Sequence, residues 1–289
     1  MSTGQLLTST WDWEPTVLAG CAALAAGYVV VAPPRGIRAA SFMAGVLTLL
    51  LALISPLDAL GDTYLFSAHM LQHFLLILVV PPLLLLGIPP RLAERALRWE
   101  PASKAERVFG QPGLAWLMAI GTLWAWHAPA LYDAALANEG LHVVQHLCFL
   151  VTSTMFWWVV IAPVPERRRL NLLGSTAYLL LASLSSSLLG VILTFAPPGL
   201  YPPYLHPDGA PGIVALVRQG WGFSAAVDQQ VGGLLMWVGN SPIYVVACLA
   251  ALARWYREPE PDSALVSDEP EMQTVPHLPV ARTRAGHQD

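Results

Sequence analysis

Long apolar stretches alternate with short polar segments along the chain, and seven of the apolar stretches approach the length of a membrane span. A helix needs about 20 mostly apolar residues to cross the hydrocarbon core of a bilayer. The predicted spans cover residues 16–32, 37–55, 66–87, 113–128, 141–162, 172–196 and 228–253. The pattern therefore predicts an all-α integral membrane protein in which residues 1–257 form a bundle of seven transmembrane helices.

Three local features add detail to this prediction. Pro81 and Pro82 lie inside the third span, where proline removes a backbone donor, so we expect a kink. Gly190 and Gly233, in the sixth and seventh spans, are expected to let helices pack closely in lipid. Residues 258–289 are rich in proline and charge and offer little to bury, which predicts a disordered tail.

The basic residues divide unevenly between the two predicted sides of the membrane. Every Lys and Arg except Arg218 follows the first, third, fifth or seventh span. Segments rich in Lys and Arg stay on the cytoplasmic side of a membrane. We therefore expect the N-terminus to lie outside and the C-terminal tail to lie in the cytoplasm.

The composition agrees with a membrane protein. The chain has 289 residues, of which 55% are hydrophobic and only 12% charged, about half the charged share of a soluble domain. Its net charge of -4 argues against a nucleic-acid partner. Cys21, Cys148 and Cys248 lie inside apolar spans without Cys-x-x-Cys spacing, so a disulfide framework is not expected.

Two histidine pairs stand at the start of predicted spans. His69 and His73 belong to the third span and His142 and His146 to the fifth, each pair in the pattern His-x-x-Gln-His. Residues four apart share one face of a helix, so each pair can present two imidazoles to one metal ion. The predicted orientation places both pairs, and His127 at the end of the fourth span, on the outer side. Because ionisable groups at membrane depth are costly and usually functional, we expect these five histidines to form a metal site.

Two residues of the seventh span are further candidates for this site. Asp228 begins the span, where it can act as a metal ligand, as an acceptor that orients an imidazole, or as a cap of its own helix. Met236 lies two turns deeper on roughly the same face, and thioether ligands favour copper(I) over copper(II). The imidazoles alone do not distinguish copper from zinc.

At these residues the sequence resembles the CtaG family of cytochrome c oxidase assembly factors, which are bacterial membrane proteins. The matching stretches are His69-Met70-Leu71-Gln72-His73 with Pro81-Pro82, Trp126-His127-Ala128-Pro129, His142 to His146 with Phe156-Trp157-Trp158, and Asp228-Gln229-Gln230 with Gly232 to Trp237. Most of the chain from residue 40 to residue 255 is covered by the resemblance.

The resemblance implies a multi-pass protein of the bacterial cell membrane that is needed to build a haem–copper oxidase of the caa3 type. It implies the delivery of copper and no catalysis, while the imidazole chemistry keeps zinc as the alternative metal. The partners that it implies are oxidase subunits and a protein that donates copper, in addition to the lipid bilayer.

Two other functions are compatible with the residues alone. An intramembrane zinc hydrolase would use three protein ligands, a metal-bound water and a carboxylate from Asp228, Asp58 or Asp62. A haem-binding cytochrome would use one histidine from the third span and one from the fifth as axial ligands. A retinal protein is excluded, since the only lysine, Lys104, lies in a predicted cytoplasmic loop.

Overall fold

The structure is a computed structural model that describes residues 1–32, 36–168 and 170–257, and all regular secondary structure in these ranges is helical. The α-helices are α1 (Thr3–Ser9), α2 (Pro15–Val31), α3 (Ile37–Ile54), α4 (Pro56–Thr63), α5 (Phe66–Phe74), α6 (Val80–Gly87), α7 (Pro90–Leu97), α8 (Glu100–Phe109), α9 (Pro112–Trp126), α10 (Pro129–Ala137), α11 (Glu139–Ile161), α12 (Leu172–Phe195), α13 (Pro202–Leu205), α14 (Pro211–Ala215), α15 (Ala225–Leu234) and α16 (Ser241–Arg257). Three π-helical turns, Leu75–Val79, Leu216–Gly220 and Leu235–Gly239, and a 3-10 turn, Pro165–Arg167, join some of them. The predicted tail, residues 258–289, lies outside the described residues.

Five apolar helical segments in the described ranges are long enough to cross a membrane. They are Ile37–Ile54, Phe66–Gly87, Glu139–Ile161, Leu172–Phe195 and Ala225–Arg257. A sixth span results if α9 and α10, which meet at an angle of 73°, are taken as one broken span. The first predicted span corresponds to α2, an apolar helix of 17 residues. The prediction of an all-α fold with long apolar spans is confirmed, while the total of seven spans and the orientation of the termini stay predictions.

The third predicted span stays helical without a break across Pro81 and Pro82. α5 and α6 join through the π-helical turn Leu75–Val79, which ends just ahead of Pro81 and Pro82. Pro81 has no N–H to donate to the carbonyl of Ile77, four residues earlier. The indole Nε1 of Trp157 donates to that carbonyl instead, at 3.0 Å. The distortion expected at the prolines is therefore a π-helical turn, and α11 supplies the missing donor.

Glycines set the close contact between α12 and α15. A Cβ atom on Gly233 would lie 2.6 Å from the backbone nitrogen of Thr194, and one on Gly190 would lie 2.6 Å from the backbone nitrogen of Trp237. Such distances exclude any side chain unless the backbone moves. The two helices therefore pack backbone against backbone, as predicted for small residues in membrane helices.

Gly233→Ala should destabilise the protein by about 1–3 kcal/mol, because the added methyl group must displace the backbone of α12. Gly121→Ala in α9 is a matched control, since a Cβ atom there meets nothing within 4 Å. The melting temperatures of both variants in detergent, compared with that of the wild type, test this packing. Equal melting temperatures for the two variants would contradict it.

The two ends of the bundle differ in their polar residues. Arg38, at the start of α3, donates to the carbonyl of Ile88 just past the end of α6, at 3.4 Å. Arg254, near the end of α16, donates to the carbonyl of Val160 near the end of α11, at 3.2 Å. The first histidine pair lies in α5, at the start of the segment that ends with α6, and the second pair lies near the start of α11. The bundle therefore has one end that bears arginines and an opposite end that bears histidines.

Candidate metal centre

Asp228 fixes the start of the helix that carries the first histidine pair. The first N–H groups of a helix have no partner within it, and the residue that precedes α5, Leu65, has no side chain that can cap them. The Asp228 carboxylate accepts a hydrogen bond from the N–H of Phe66 at 2.8 Å. It also accepts from the N–H and the hydroxyl of Ser67, at 3.0 and 2.6 Å. Asp228 therefore caps α5 from another helix.

The structure places Asp228 in a capping role, although not on its own helix. Ser224 caps α15 by accepting from the N–H of Val227 at 3.2 Å. Both carboxylate oxygens of Asp228 accept hydrogen bonds from α5, and the side chain is fully buried. Its contribution to the histidines is therefore to hold the helix that carries two of them.

The five predicted histidines meet in one cluster, contributed by α5, α11 and the end of α9. The ring centroids are 4.3 Å apart for His69 and His73, and 4.2 Å apart for His142 and His146. Between the two helices, the distance is 5.2 Å from His69 to His142 and 5.6 Å from His73 to His146. His127, which caps the C-terminus of α9, lies 5.5 Å from His73. The helical spacing of each pair and the packing of the helices together produce this cluster.

The imidazole nitrogens of the cluster are buried and lack hydrogen-bond partners of ordinary geometry. This holds for both ring nitrogens of His69 and His73, and for Nε2 of His127, His142 and His146. Nδ1 of His127 lies 2.7 Å from the carbonyl of Leu123, which assigns the proton of the neutral ring to Nδ1 and leaves a lone pair on Nε2. Because buried polar atoms are nearly always paired, these free nitrogens fit the role of metal ligands.

Two groups of three side chains bring their ligand atoms close enough to hold a metal ion. One group is His69, His73 and His146, and the other is Asp62, His69 and His142. Within each group the ligand atoms lie within 4.8 Å of one another. A tetrahedral ion about 2.0 Å from each nitrogen needs ligands roughly 3.3 Å apart, so atoms at the 4.8 Å limit would move about 1.5 Å closer on binding. His69 belongs to both groups.

Asp62 joins the cluster from α4, a short helix outside the apolar spans. Its carboxylate oxygens lie 3.8 Å from Nδ1 of His69 and 3.6 Å from Nδ1 of His142. Burial, followed by the nearby carboxylates of Asp58 and Asp12, raises the pKa of Asp62 to about 8. The sequence suggested Asp62 only as the carboxylate of a hydrolase. The signal that could have marked it as a candidate ligand is its place on the predicted outer side, shortly before the first histidine pair.

α4 packs closely against α5. A Cβ atom on Gly61 would lie 3.0 Å from the backbone of His69, and Nε2 of Gln72 donates to the Asp58 carboxylate at 2.5 Å. Burial raises the pKa of Asp58 to about 6, and the hydrogen bond from Gln72 acts in the opposite direction. Gln72 thus forms a hydrogen bond across helices, whereas the buried side chain of Gln145 has no hydrogen-bond partner.

Three buried tyrosines tie the neighbouring segments together around the cluster. The hydroxyls of Tyr132 and Tyr204 lie 3.1 Å apart, and the Tyr204 hydroxyl donates to the carbonyl of Gly61 at 2.6 Å. The hydroxyl of Tyr201 donates to the carbonyl of His127 at 2.7 Å. No sequence pattern marked these residues, because their partners lie far along the chain.

Met236 lies beside the cluster on its deeper side. Together with His73 and Met70 it lines an internal cavity of about 40 Å³, enough space for one or two water molecules. Both methionines are buried. The predicted methionine thus lies next to the deepest part of the cluster, with a second thioether on the same cavity wall.

Buried imidazoles with free nitrogens, held between apolar helices of membrane-spanning length, define a polytopic membrane protein with a candidate transition-metal centre. The chain belongs to the cytochrome c oxidase caa3 assembly factor family, Caa3_CtaG, whose family model matches residues 18–258. The resemblance inferred from the histidine motifs is thereby confirmed. The family role lies in the assembly of cytochrome c oxidase.

Relatives of this chain include uncharacterised mycobacterial proteins. One from Mycobacterium leprae (strain TN) is 23% identical over 236 residues, which is 76% of this chain and 34% of the relative. Proteins from Mycobacterium bovis and Mycobacterium tuberculosis match with the same identity and coverage. The chain therefore spans about a third of the length of these relatives. No solved structure matches the chain.

Proposed function

We propose that this protein binds copper in its histidine cluster and delivers it to a cytochrome c oxidase during assembly. The observation that carries the proposal is the meeting of five imidazoles, each of which has at least one buried ring nitrogen without a hydrogen-bond partner of ordinary geometry. Membership of an oxidase assembly family supports it, because this class of oxidase contains copper centres that must be loaded. In this role the protein is a metal carrier and not a catalyst.

Copper(I) suits the inner part of the cluster better than copper(II). The group formed by His69, His73 and His146 contains only imidazoles, and the thioethers of Met70 and Met236 lie on the cavity wall next to His73. Imidazole and thioether ligands in low coordination number favour copper(I). Zinc is the alternative, since imidazoles alone bind it well.

We infer further that α2 is the first of seven spans, with the N-terminus outside and the cluster near the outer surface. The separation of the arginine-bearing end from the histidine-bearing end supports this orientation, because basic residues stay in the cytoplasm. In this arrangement a copper donor protein and the receiving oxidase subunit both approach from the outer side.

A zinc-dependent hydrolase is the second candidate, because Asp62 lies beside two imidazoles and a carboxylate near a zinc-bound water can act as a base. Five imidazoles exceed the three ligands of a catalytic zinc site, which favours metal transfer. Against haem binding, Phe149 packs on His73 with ring centroids 4.6 Å apart, and Tyr132 packs on His69 at 5.2 Å. These rings fill space that a porphyrin would need.

Protein purified anaerobically in detergent from copper-supplemented cells should retain copper, and the variant His73→Ala/His146→Ala should lose it. Removing two of three ligands lowers copper affinity by more than the 10- to 100-fold cost that is typical of losing an outer-shell partner. His206→Ala is the control, because His206 is an exposed loop residue outside the cluster. Metal analysis and a visible spectrum of the three proteins provide the measurement.

The outcomes separate the candidate functions. Copper in the wild type and in His206→Ala, its loss from the double variant, and no Soret band support the proposal. Zinc in place of copper, together with hydrolysis that depends on Asp62, supports the hydrolase. A wild-type protein that takes up no transition metal overturns the proposal.

A further inference from the structure

A second cavity, of about 540 Å³, reaches the histidine cluster from the side of α2, α3 and α4. His142 and His146 form part of its wall. Five carboxylates also line it, those of Asp12, Glu14, Asp58, Asp62 and Glu139. None of the described residues that line it is Lys or Arg. The cavity therefore joins a strongly acidic surface to two of the imidazoles.

Exposure decreases from the carboxylates to the histidines. Asp12 and Glu139 are exposed, Asp58 and Asp62 are half-buried, and His69 is fully buried. Carboxylates along a cleft raise the local concentration of cations and speed their entry. A positive ion therefore passes a wall of carboxylates and meets decreasing solvent on its way to the cluster.

We propose that Asp62, His69 and His142 form an outer subsite that receives a metal ion from this cavity and passes it to the inner subsite of His69, His73 and His146. The proposal rests on the proposed function, since it describes how the cluster is loaded. It adds Asp62 as a metal ligand and gives the cluster an entrance. The ligand class is a soft or borderline transition-metal ion, with copper(I) as the cargo.

The buried imidazole of His69 distinguishes this arrangement from an ordinary acidic surface. Its side chain is 1% exposed and Nδ1 lies 3.8 Å from the Asp62 carboxylate, with no hydrogen bond of ordinary geometry on either ring nitrogen. A buried imidazole without well-formed hydrogen bonds is costly. A metal ion that is bound between Asp62 and His142 would engage His69 and remove this cost.

The shared ligand makes the transfer a stepwise exchange. The outer and inner subsites lie one helical turn apart on both α5 and α11, because each histidine pair is spaced four residues apart. The ion can keep its bond to His69 while Asp62 and His142 are replaced by His73 and His146. Its oxidation state does not change. The direction follows from ligand softness, since imidazoles hold copper(I) more tightly than a carboxylate does.

The rate of copper loading tests this inference. Metal-free full-length protein in detergent is mixed anaerobically with copper(I) bound to a chromophoric chelator, and the loss of the chelator's colour is followed with time. Asp62→Asn should slow loading by about tenfold, the lower end of the range that is typical of losing a group that supports a metal site. Its final copper content should equal that of the wild type, because the inner subsite is intact. His142→Gln should behave in the same way.

Asp58→Asn separates a ligand from a general charge effect. It makes the same substitution in the same cavity and on the same helix, but the Asp58 carboxylate is bonded to Gln72 and belongs to neither metal-binding group. We expect it to slow loading by about twofold at most, because both groups of candidate ligands stay intact. Asp208→Asn, in an exposed loop away from the cavity, should load at the wild-type rate.

Each outcome decides one proposal. Equal rates for Asp62→Asn and Asp58→Asn, or a wild-type rate for Asp62→Asn, overturn the outer subsite and leave the copper proposal standing. Loss of bound copper from Asp62→Asn at equilibrium also overturns it, because Asp62 is then a permanent ligand. A wild-type protein that takes no copper from the chelator is a failure of the proposed function itself.

Discussion

Membranes from a strain that carries His73→Ala in place of the wild-type chain should contain little active cytochrome c oxidase. His73 lies at the centre of the cluster, with ring centroids 4.3 Å from His69, 5.5 Å from His127 and 5.6 Å from His146. Its removal takes a ligand from the inner subsite, so copper affinity should fall at least about 100-fold. Oxidase activity per amount of this protein, measured in isolated membranes, should fall to the level of a strain that lacks the gene.

Copper supplied in the growth medium distinguishes a weakened site from a damaged fold. A binding defect is compensated by ligand concentration through mass action, so added copper should partly restore oxidase activity in the His73→Ala strain. His206→Ala should leave activity at the wild-type level without supplement, since His206 is exposed and outside the cluster. Normal oxidase activity in the His73→Ala strain at low copper would rule out a role for the cluster.

Asp228→Ala should cause the largest loss of stability among single substitutions near the site. The change leaves the N–H groups of Phe66 and Ser67 and the Ser67 hydroxyl without their acceptor in a buried position. Each buried polar group left unsatisfied costs about 1–3 kcal/mol. Unfolding in detergent can be followed with a thiol-reactive dye, because the three cysteines are free and Cys21 is buried.

Asp208→Ala is the matched control for Asp228→Ala. It removes an aspartate from an exposed loop, where substitutions usually change stability by less than about 0.5 kcal/mol. Asp228→Asn should be intermediate, because its remaining amide oxygen can still accept from α5. If Asp228→Ala lost copper but melted at the wild-type temperature, Asp228 would be a metal ligand and not the cap of α5.

The histidine cluster was predictable because local spacing and global orientation both pointed to it. The separation of four residues puts His69 and His73 on one face, and the same holds for His142 and His146. Span counting then placed all four at one end of the bundle, where the structure has them. His127 followed from the same argument, although the helix that it ends continues after a bend of 73° as α10.

The partners of the cluster were not predictable from local pattern. Asp62 lies on α4, which is too short and too polar to appear as a span, and it reaches the histidines only because α4 packs on α5 through Gly61. Asp228 was a candidate from the sequence, but its role as the acceptor for α5 depends on a contact with Ser67, 161 residues earlier. Such contacts follow from tertiary packing, for which a single sequence has no periodic signal.

The hydrogen bonds between Asp228 and the start of α5 also determine when, during synthesis of the chain, the histidine cluster can form. Ser67 and Asp228 are separated by 161 residues. All five histidines of the cluster are therefore synthesised well before Asp228, whose carboxylate caps α5. A nascent chain that stops before α15 contains every imidazole of the cluster but not the group that positions the first pair. Translation of the last apolar segment is therefore the event that completes the candidate metal centre, because only then can the start of α5 find its acceptor.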